Sequence, residues 1–263
     1  MLVRREQDGA LAIGQLSHAW LSGQLARAWG NDRFAAPDPQ EEIALGAEQH
    51  DVGWALFDLK PGRSAESGLP RSFLETTVEE HLDIWRDAPE RLRSVSTYAA
   101  LVVSLHGASL SALRLGNATD GRELLERHVA DERERQSRLR AKLGLTEQDT
   151  QRIQRWMWAW DGLSLALCNG WDPFTSRDVP AGEELVDIEL RRAGEASSPA
   201  AGGVRHEGAF SLHPWPFSKG RLHVSCEARE LGATRFEDEA AMQEAFQDAA
   251  VLRLSFELLP LAG

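Results

Sequence analysis

The chain of 263 residues is 42% hydrophobic, which is enough for a substantial buried core, and it carries a formal net charge of −12. A surface this acidic repels a phosphate backbone, and no stripe of lysines and arginines with interleaved aromatic residues occurs, so we expect no nucleic acid polymer among its partners. Two cysteines, Cys168 and Cys226, are too few for a disulfide framework, and the N-terminus shows no apolar signal core, so we expect a soluble, cytoplasmic protein without a membrane-spanning segment.

Helical periodicity of apolar residues covers most of the first two thirds of the chain and predicts six helices. They run from Gln15 to Trp29, from Pro37 to Gly53, from the capping box Ser72/Glu75 to Trp85, from Pro89 to Gly116, from Asp120 to Leu143 and from Thr146 to Asn169. The helix from Asp120 is mostly charged, so we expect it to be solvated, with His128 on its surface. The other five carry apolar stripes, which indicates that they pack on one another.

The segment between the second and third predicted helices, Ala55 to Pro70, shows no clear period. A loop of this length inside a compact domain is usually functional or disordered. We interpret it as a lid whose Lys60 and Arg63, together with the neighbouring Arg71, contact a substrate. The alternative is that these three cations lie in a solvated loop and take no part in binding.

Beyond residue 175 the hydrophobic period changes to two, which predicts short antiparallel strands. The strands are predicted at Glu184 to Arg191, Phe210 to Phe217, Leu222 to Ala228 and Val251 to Leu259, with a helix capped by Asp238 that runs to Ala249. The segment Ala193 to Gly203 has the composition of a flexible loop. We therefore predict a mainly α fold, with a helical domain at 1–175 and a small antiparallel α+β appendage at 176–263 packed on it.

Six residues of types that commonly bind metal ions lie on or beside the apolar stripes of these helices. They are His18, His50, Asp51, His81, His106 and Asp161. Taken singly, each histidine is explained more simply as a core imidazole bonded to a backbone carbonyl, and Asp161 equally well as a buried cap or ion pair. However, Asp161 is the one charge in the apolar run Trp156 to Cys168, where burial without compensation costs several kcal/mol. Convergence on a shared divalent cation accounts for all six together.

The order of these residues, together with the string His50-Asp51-Val52-Gly53, resembles the HD-domain superfamily of metal-dependent phosphohydrolases. The spacing is similar to that of its binuclear branch, which uses two additional histidines. More closely, Leu21 to Ala26 with His50 to Trp54 resembles an uncharacterised bacterial family that carries only a domain-of-unknown-function label. The resemblance spans roughly residues 10 to 170 and implies an HD-like helical bundle for that part of the chain.

The resemblance also implies a ligand set. One divalent ion would be held by His18, His50, Asp51 and Asp161, and a second, to which the catalytic Asp51 bridges, by His81 and His106. Imidazole and carboxylate ligands suit Fe, Mn, Zn, Co or Ni, so one or two such ions are the expected cofactor. Trp54 stands where many relatives have a basic residue, which removes an expected phosphate contact. The Gly-Tyr-Pro signature of cyclic-dinucleotide phosphodiesterases is absent, which argues against a cyclic dinucleotide as the substrate.

Three functions are consistent with these residues. The leading hypothesis is a phosphohydrolase that acts on a small phosphorylated molecule, such as a nucleotide, through a metal-activated water. The second is a di-iron HD-type oxygenase, because the same ligand pattern serves oxygen chemistry in some relatives. The third is a non-catalytic binding protein in which the buried histidines are only hydrogen-bonded. The substrate, the metal and the oligomeric state are not determined by the sequence.

Overall fold

The fold combines a layer of helices with a single curled sheet. The computed structural model describes residues 1–194 and 202–261, and the chain is about 48% helical. The helices are α1 (Gln15–Ala28), α2 (Gln40–Glu48), α3 (Ala55–Leu59), α4 (Val78–Trp85), α5 (Ala88–Arg93), α6 (Thr97–Gly116), α7 (Arg122–Leu143), α8 (Glu147–Asn169) and α9 (Glu239–Asp248). The strands are β1 (Leu2–Arg5), β2 (Ala10–Ile13), β3 (Phe174–Ala181), β4 (Glu184–Arg192), β5 (Val204–His213), β6 (Leu222–Leu231) and β7 (Ala250–Pro260).

The strands of the described residues form one seven-stranded sheet in the order β1-β2-β6-β7-β5-β4-β3. Neighbouring strands are antiparallel except β5 and β7, which run parallel with Phe210 opposite Leu258. Strand β2 pairs with β6 through Ala10 and Leu231. The first two strands of the chain therefore belong to the same sheet as the last five.

This sheet corrects the predicted fold class. The sequence predicts a mainly α bundle with a small antiparallel appendage, but the structure is an α+β fold with a mixed sheet of seven strands. Strands β1 and β2 escape the prediction because each has only four residues, and β2 is buried throughout, so it shows no alternation. Strand β3 escapes it because a register shift between Ser176 and Val179 interrupts its period. The boundary near residue 175 stays a prediction.

Both faces of the sheet are covered, which explains the continuous burial of β2. Helix α1 contacts β6, and α8 contacts β1 and β3. The main core joins Leu21 of α1 and Trp160 of α8 to Leu11 of β2 and Phe256 of β7. The alternate residues of β2 join a second apolar cluster that includes Phe246 of α9. Helices α1 and α8 are thus both held directly against the sheet, and their apolar residues belong to one core.

Most of the other predicted elements are confirmed within a few residues. Helices α1, α2, α7, α8 and α9 occupy predicted segments, and the side chains of Thr146 and Asp238 cap α8 and α9 as expected. Strands β4, β6 and β7 begin within one residue of the predicted positions, whereas β5 begins six residues early. Residues 195–201 of the predicted flexible loop lie outside the described residues.

Three of the predicted helical boundaries are wrong. The long helix predicted after Pro89 is two helices, α5 and α6. The Ser96 side chain accepts a hydrogen bond from the backbone N–H of Ala99 and so caps a new helix that begins at Thr97. The capping box predicted at Ser72 opens only a single turn, and α4 begins at a second box formed by Thr77 with Glu80. Helix α3 lies at the start of the segment predicted as a loop.

His128 is buried, with 7% of its surface exposed, so its predicted surface position is wrong. Helix α7 packs along α6, and Leu125, His128 and Glu132 are buried at spacings of three and four residues. Ser104 of α6 donates a hydrogen bond of 2.6 Å to Glu132. The charged composition of α7 hides this narrow buried stripe.

Helix α6 is long and apolar enough to cross a membrane, if length and composition alone are considered. However, 61% of its apolar window is buried inside the protein, where it contacts α2, α5, α7 and α8. These contacts are typical of the core helix of a soluble domain. A cytoplasmic location stays a prediction.

Candidate metal centre

Five of the six predicted ligand residues converge in the core of the helical layer. They are His18 on α1, His50 and Asp51 just after α2, His106 on α6 and Asp161 on α8, and all five are buried. They form two overlapping groups that share His50. In each group the candidate ligand atoms all lie within 4.8 Å of one another: one joins His50 to His18 and Asp51, the other joins it to His106 and Asp161.

Two glycines allow the elements that carry these residues to approach one another. A Cβ atom at Gly46 of α2 would lie 2.6 Å from the Cβ of Val102, so a larger residue would separate α2 from α6. A Cβ atom at Gly53 would overlap the backbone carbonyl oxygen of Ile84 at the end of α4. The glycine of His50-Asp51-Val52-Gly53 therefore has a packing role, since it seats the turn after Asp51 against α4.

His50 presents an unpartnered nitrogen to two carboxylates. Its Nδ1 lies 2.7 Å from the carbonyl oxygen of Ala47, which assigns the ring proton to Nδ1 in the neutral imidazole. Its Nε2 lies 3.5 Å from Asp51 Oδ2 and 3.4 Å from Asp161 Oδ1, and it has no hydrogen-bond partner among the described residues. A buried lone pair that faces two negative groups is unfavourable unless a cation or a proton lies between them.

His18 is held in the same way from the opposite side. Its Nδ1 lies 2.9 Å from Ser164 Oγ, and that hydroxyl donates to the carbonyl oxygen of Asp161 at 2.8 Å. Because a carboxylate oxygen only accepts, Nε2–H donates to Asp51 Oδ2 at 2.7 Å in the metal-free protein, and Ser164 Oγ would accept from Nδ1–H once a cation replaced the Nε2 proton. Histidines that bind metals usually donate their other ring N–H to such an oxygen, which fixes the tautomer. Both imidazoles fit this arrangement.

Charge coupling within the cluster is strong. Burial lowers the pKa of His50, but the carboxylates of Asp51 and Asp161 outweigh this effect and raise that pKa to about 9. Burial alone would raise the pKa of each carboxyl group, yet the neighbouring imidazoles hold both pKa values below the ordinary value. Burial and the charge on His50 lower the pKa of His106 to about 4. The two ionised carboxylates, together with the neutral imidazole of His106, form a donor set that attracts a cation.

His81 lies outside both groups. Its Nε2 is 2.8 Å from Ser111 Oγ on α6, and burial, followed by the nearby charge of Arg114, lowers its pKa to about 3. It nevertheless lines the same cavity as His106. The structure therefore brings His81 to the site as a neutral imidazole and does not place it within reach of the other ligand atoms.

A cavity of about 510 Å³ opens over the cluster. His18, Asp51, His106 and Asp161 line it, and so do apolar side chains from α4, α6 and α8. The apolar and aromatic side chains are Trp54, Phe73, Leu74, Val78, Trp85, Leu110, Trp158 and Leu165. A volume of this size accommodates a small organic molecule. Four of the five clustered residues thus line a space that a molecule from solvent can enter, and His50 is buried behind them.

The predicted substrate contacts lie elsewhere. None of the lining residues comes from 55–70, so the lid interpretation is not supported. Arg63 donates to the carbonyl oxygen of Phe236, and Arg71 pairs with Glu80 at 2.7 Å. Lys60, the residue that follows α3, is exposed and does not line the cavity. These three cations hold or cover other parts of the structure.

Arg114 is the lining cation that the sequence analysis missed. It follows His106 by eight residues on α6, with Leu110 between them, and all three line the cavity. Spacings of four and four place these residues along one side of a helix. The spacing of Arg114 from His106 could have indicated that both residues face the same site. The otherwise apolar composition of α6 suggested only core packing.

The comparisons with known proteins give a family and no function. No functionally curated protein and no solved structure matches the chain. The family described as "Protein of unknown function (DUF3891)" matches residues 1–233, a range that contains all five clustered residues. This match confirms the resemblance to a domain of unknown function, whereas the wider HD-domain resemblance stays a prediction. Because the match covers most of its length, the chain belongs to this family of proteins of unknown function.

Proposed function

We propose that the protein is a metal-dependent phosphohydrolase of the HD type, acting on a small phosphorylated molecule or nucleotide. The observation that supports the proposal is the unpartnered Nε2 of the fully buried His50, which faces Asp51 and Asp161, the two carboxylates that line an accessible cavity. In the metal-free protein a proton on His50 offsets the two carboxylates. A divalent cation would take over that role and would also use the lone pairs of His18 and His106.

His18, His50, Asp51 and Asp161 would hold the first ion, and His106 would contribute to a second. When bound, one or two ions of Fe, Mn, Zn, Co or Ni supply Lewis acidity and lower the pKa of a water molecule. Ala47 and Ser164 hold the Nδ1 side of His50 and His18, so the Nε2 atom of each ring is the one that would bind a cation after losing its proton. Asp51 is the expected proton acceptor, since its carboxylate lies between the two imidazoles and lines the cavity.

The shape of the cavity restricts the substrate. Its floor lies among buried side chains, and its walls of tryptophan and aliphatic residues place apolar surface around the reacting group. A cavity of about 510 Å³ is in the range of small-molecule sites. Together with the net charge of −12, this favours a small phosphorylated molecule over a nucleic acid polymer or a membrane surface.

Elemental analysis of protein purified without chelator, followed by an activity screen, tests the proposal. We expect at least one transition metal per chain, and hydrolysis of some phosphomonoester or diester after reloading with that metal. Asp161→Asn should lose both metal and activity, while the exposed Asp83→Asn should keep both. Full metal occupancy with no hydrolysis across the screen would contradict the phosphohydrolase assignment.

The di-iron oxygenase is the second candidate, because the two ligand groups lie side by side; His50 Nε2 would serve only one of the ions, and a carboxylate would bridge to the other. Two irons per chain, an electron paramagnetic resonance signal of a coupled pair and no phosphatase activity would favour it. A protein without metal, whose melting temperature does not change with EDTA, would instead support the non-catalytic alternative.

A further inference from the structure

Helix α6 spans the length of the cavity. His106, Leu110 and Arg114 lie along one side of it, and each lines the cavity. Eight residues at the helical rise separate His106 from Arg114 by about 12 Å along the axis. The cavity therefore has two polar ends, the metal centre at one and a guanidinium at the other.

The Arg114 side chain is positioned by Thr76. Its Nη2 donates to the carbonyl oxygen of Thr76 at 2.6 Å, and its Nη1 donates to Thr76 Oγ1 at 3.1 Å. These contacts use two of the five N–H donors of a guanidinium. Within the described residues Arg114 has no carboxylate partner within 4.0 Å, and the nearby Glu80 is taken by Arg71 at 2.7 Å. Asp120 also lines the cavity but does not pair with Arg114 within that distance, so the remaining guanidinium donors can bind a ligand anion.

The middle of the cavity is apolar. Leu110 lies between His106 and Arg114 on α6, and Trp85 and Trp158 pack against the His106 ring with centroids 5.4 and 5.8 Å away. His81, which is bonded to Ser111, is the polar side chain that lines the cavity beside them. Such walls favour a flat or apolar group and disfavour a strongly hydrated one. A ligand that reaches both ends must therefore be polar at its termini and apolar between them.

We propose that Arg114 binds a second anionic group of the substrate, so that the substrate is an elongated molecule with a phosphoryl ester at the metal centre, a flat apolar middle and a distal anion. This inference rests on the proposed function for the reacting end only. A guanidinium held in a partly buried site recognises carboxylate or phosphate oxygens through charge-assisted hydrogen bonds. The cavity selects its substrate by length and by the charge at the far end.

A pair of aryl phosphates tests the inference. The first is biphenyl-4-yl phosphate carrying a 4′-carboxylate, and the second is identical except for a neutral 4′-carboxamide. One-ring analogues of both test the length. For the metal-loaded protein we expect kcat/KM to be about 10- to 100-fold higher for the two-ring carboxylate than for its carboxamide. Arg114→Gln should abolish this preference, while Arg122→Gln, an exposed residue at the start of α7, should keep it.

Binding provides a readout that does not depend on turnover. Trp54, Trp85 and Trp158 line the cavity, so quenching of tryptophan fluorescence reports the affinity for the non-hydrolysable phosphonates of the same pair. The carboxylate should bind more tightly than the carboxamide to the wild type and to Arg122→Gln. The wild-type comparison needs no variant, so it holds even if Arg114→Gln fails to fold.

The outcomes separate the two proposals. Carboxylate-selective binding that depends on Arg114, with no hydrolysis under any metal, would support the second anion site and refute the phosphohydrolase. Hydrolysis with equal kcat/KM and equal affinity for carboxylate and carboxamide at both lengths would refute the role of Arg114 and leave the phosphohydrolase standing. Selectivity that survives in Arg114→Gln would also overturn the inference.

Discussion

The imidazoles of His18 and His50 meet edge to face, with ring centroids 5.1 Å apart and an interplanar angle of 73°. Each ring has its Nδ1 committed to an oxygen on the outer side, Ser164 for His18 and Ala47 for His50. Both Nε2 atoms consequently face Asp51 Oδ2, at 2.7 and 3.5 Å.

Replacing Ser164 should weaken metal binding without removing a ligand. In Ser164→Ala the Nδ1–H of His18 loses its acceptor, so the ring is no longer held in one tautomer and orientation. We expect metal affinity to fall about 10- to 100-fold, as is typical for outer partners of ligating histidines. Titration of the chelated protein with Zn²⁺ measures it. Ser109→Ala, whose hydroxyl donates to Leu105 on α6, is the control and should bind normally.

Removing the Asp161 carboxylate should lower metal affinity by more than that. Asp161→Asn leaves His50 beside one carboxylate in place of two, and the amide is a weaker ligand for a transition metal. Mass spectrometry of metal content after dialysis is the direct measurement. Undiminished occupancy in this variant would show that the ion, if any, binds elsewhere.

His81→Asn should retain its metal. His81 is bonded to Ser111 and lies outside both ligand groups, although the resemblance assigns it to a second ion. We expect the metal content of His81→Asn to equal that of the wild type, with at most a change in turnover, because His81 lines the cavity. A loss of one ion per chain would establish His81 as a ligand.

The stability of the metal-free protein should depend on pH in two windows. The pKa of His50 is raised from 6.5 to about 9, so its contribution is fully present below about pH 6.5 and is lost as the pH rises through 9. His106, with its pKa lowered to about 4, acts in the opposite direction: the unfolded chain binds its proton first, and stability falls from about pH 6.5 towards 4. Urea denaturation at successive pH values should give a maximum between these windows.

Metal loading should flatten the alkaline window. A cation that replaces the proton on His50 makes the folded state independent of that titration, and its binding releases protons below pH 9. Calorimetric titrations in buffers of different ionisation enthalpy count these protons. Binding without proton release at pH 7 would contradict a role for His50 as a ligand.

Gly53→Ala should destabilise the protein and disturb the metal centre together. The new Cβ would overlap the carbonyl oxygen of Ile84, so the turn that follows Asp51 must move away from α4. We expect a loss of about 1–3 kcal/mol in unfolding free energy, with lower metal affinity. Gly116→Ala at the end of α6, where a Cβ meets open space, should be neutral or slightly stabilising.

The sequence was sufficient to find most of the cluster because each ligand residue stands at helical spacing from apolar neighbours. His18, His50 and His106 are buried as those stripes predict, and Asp161 occupies the apolar run that made it conspicuous. The ring orientations of His50 and His18 could not be predicted. They depend on hydrogen bonds to Ala47 and Ser164, and nothing in those residue types indicates that they position a histidine. Arg114 was missed because a basic residue in the last turn is common in helices and does not by itself indicate a binding role.

The sheet could not be predicted for a different reason. Strand β2 pairs with β6 across more than 200 residues, and nothing local in four apolar residues indicates such a partner. Charged composition misled in the same way at α7, where His128 lies on a narrow buried stripe together with Leu125, Val129, Glu132 and Leu139. Both failures concern tertiary contacts that local periodicity does not report.

The pairing of β2 with β6 sets an order for biosynthesis. Helix α1, which carries His18, leaves the ribosome early, yet the strand it rests on is translated some 200 residues later. Until β6 is made, α1 lacks the strand against which it packs, so we expect His18 to reach its final position only after most of the chain has been translated.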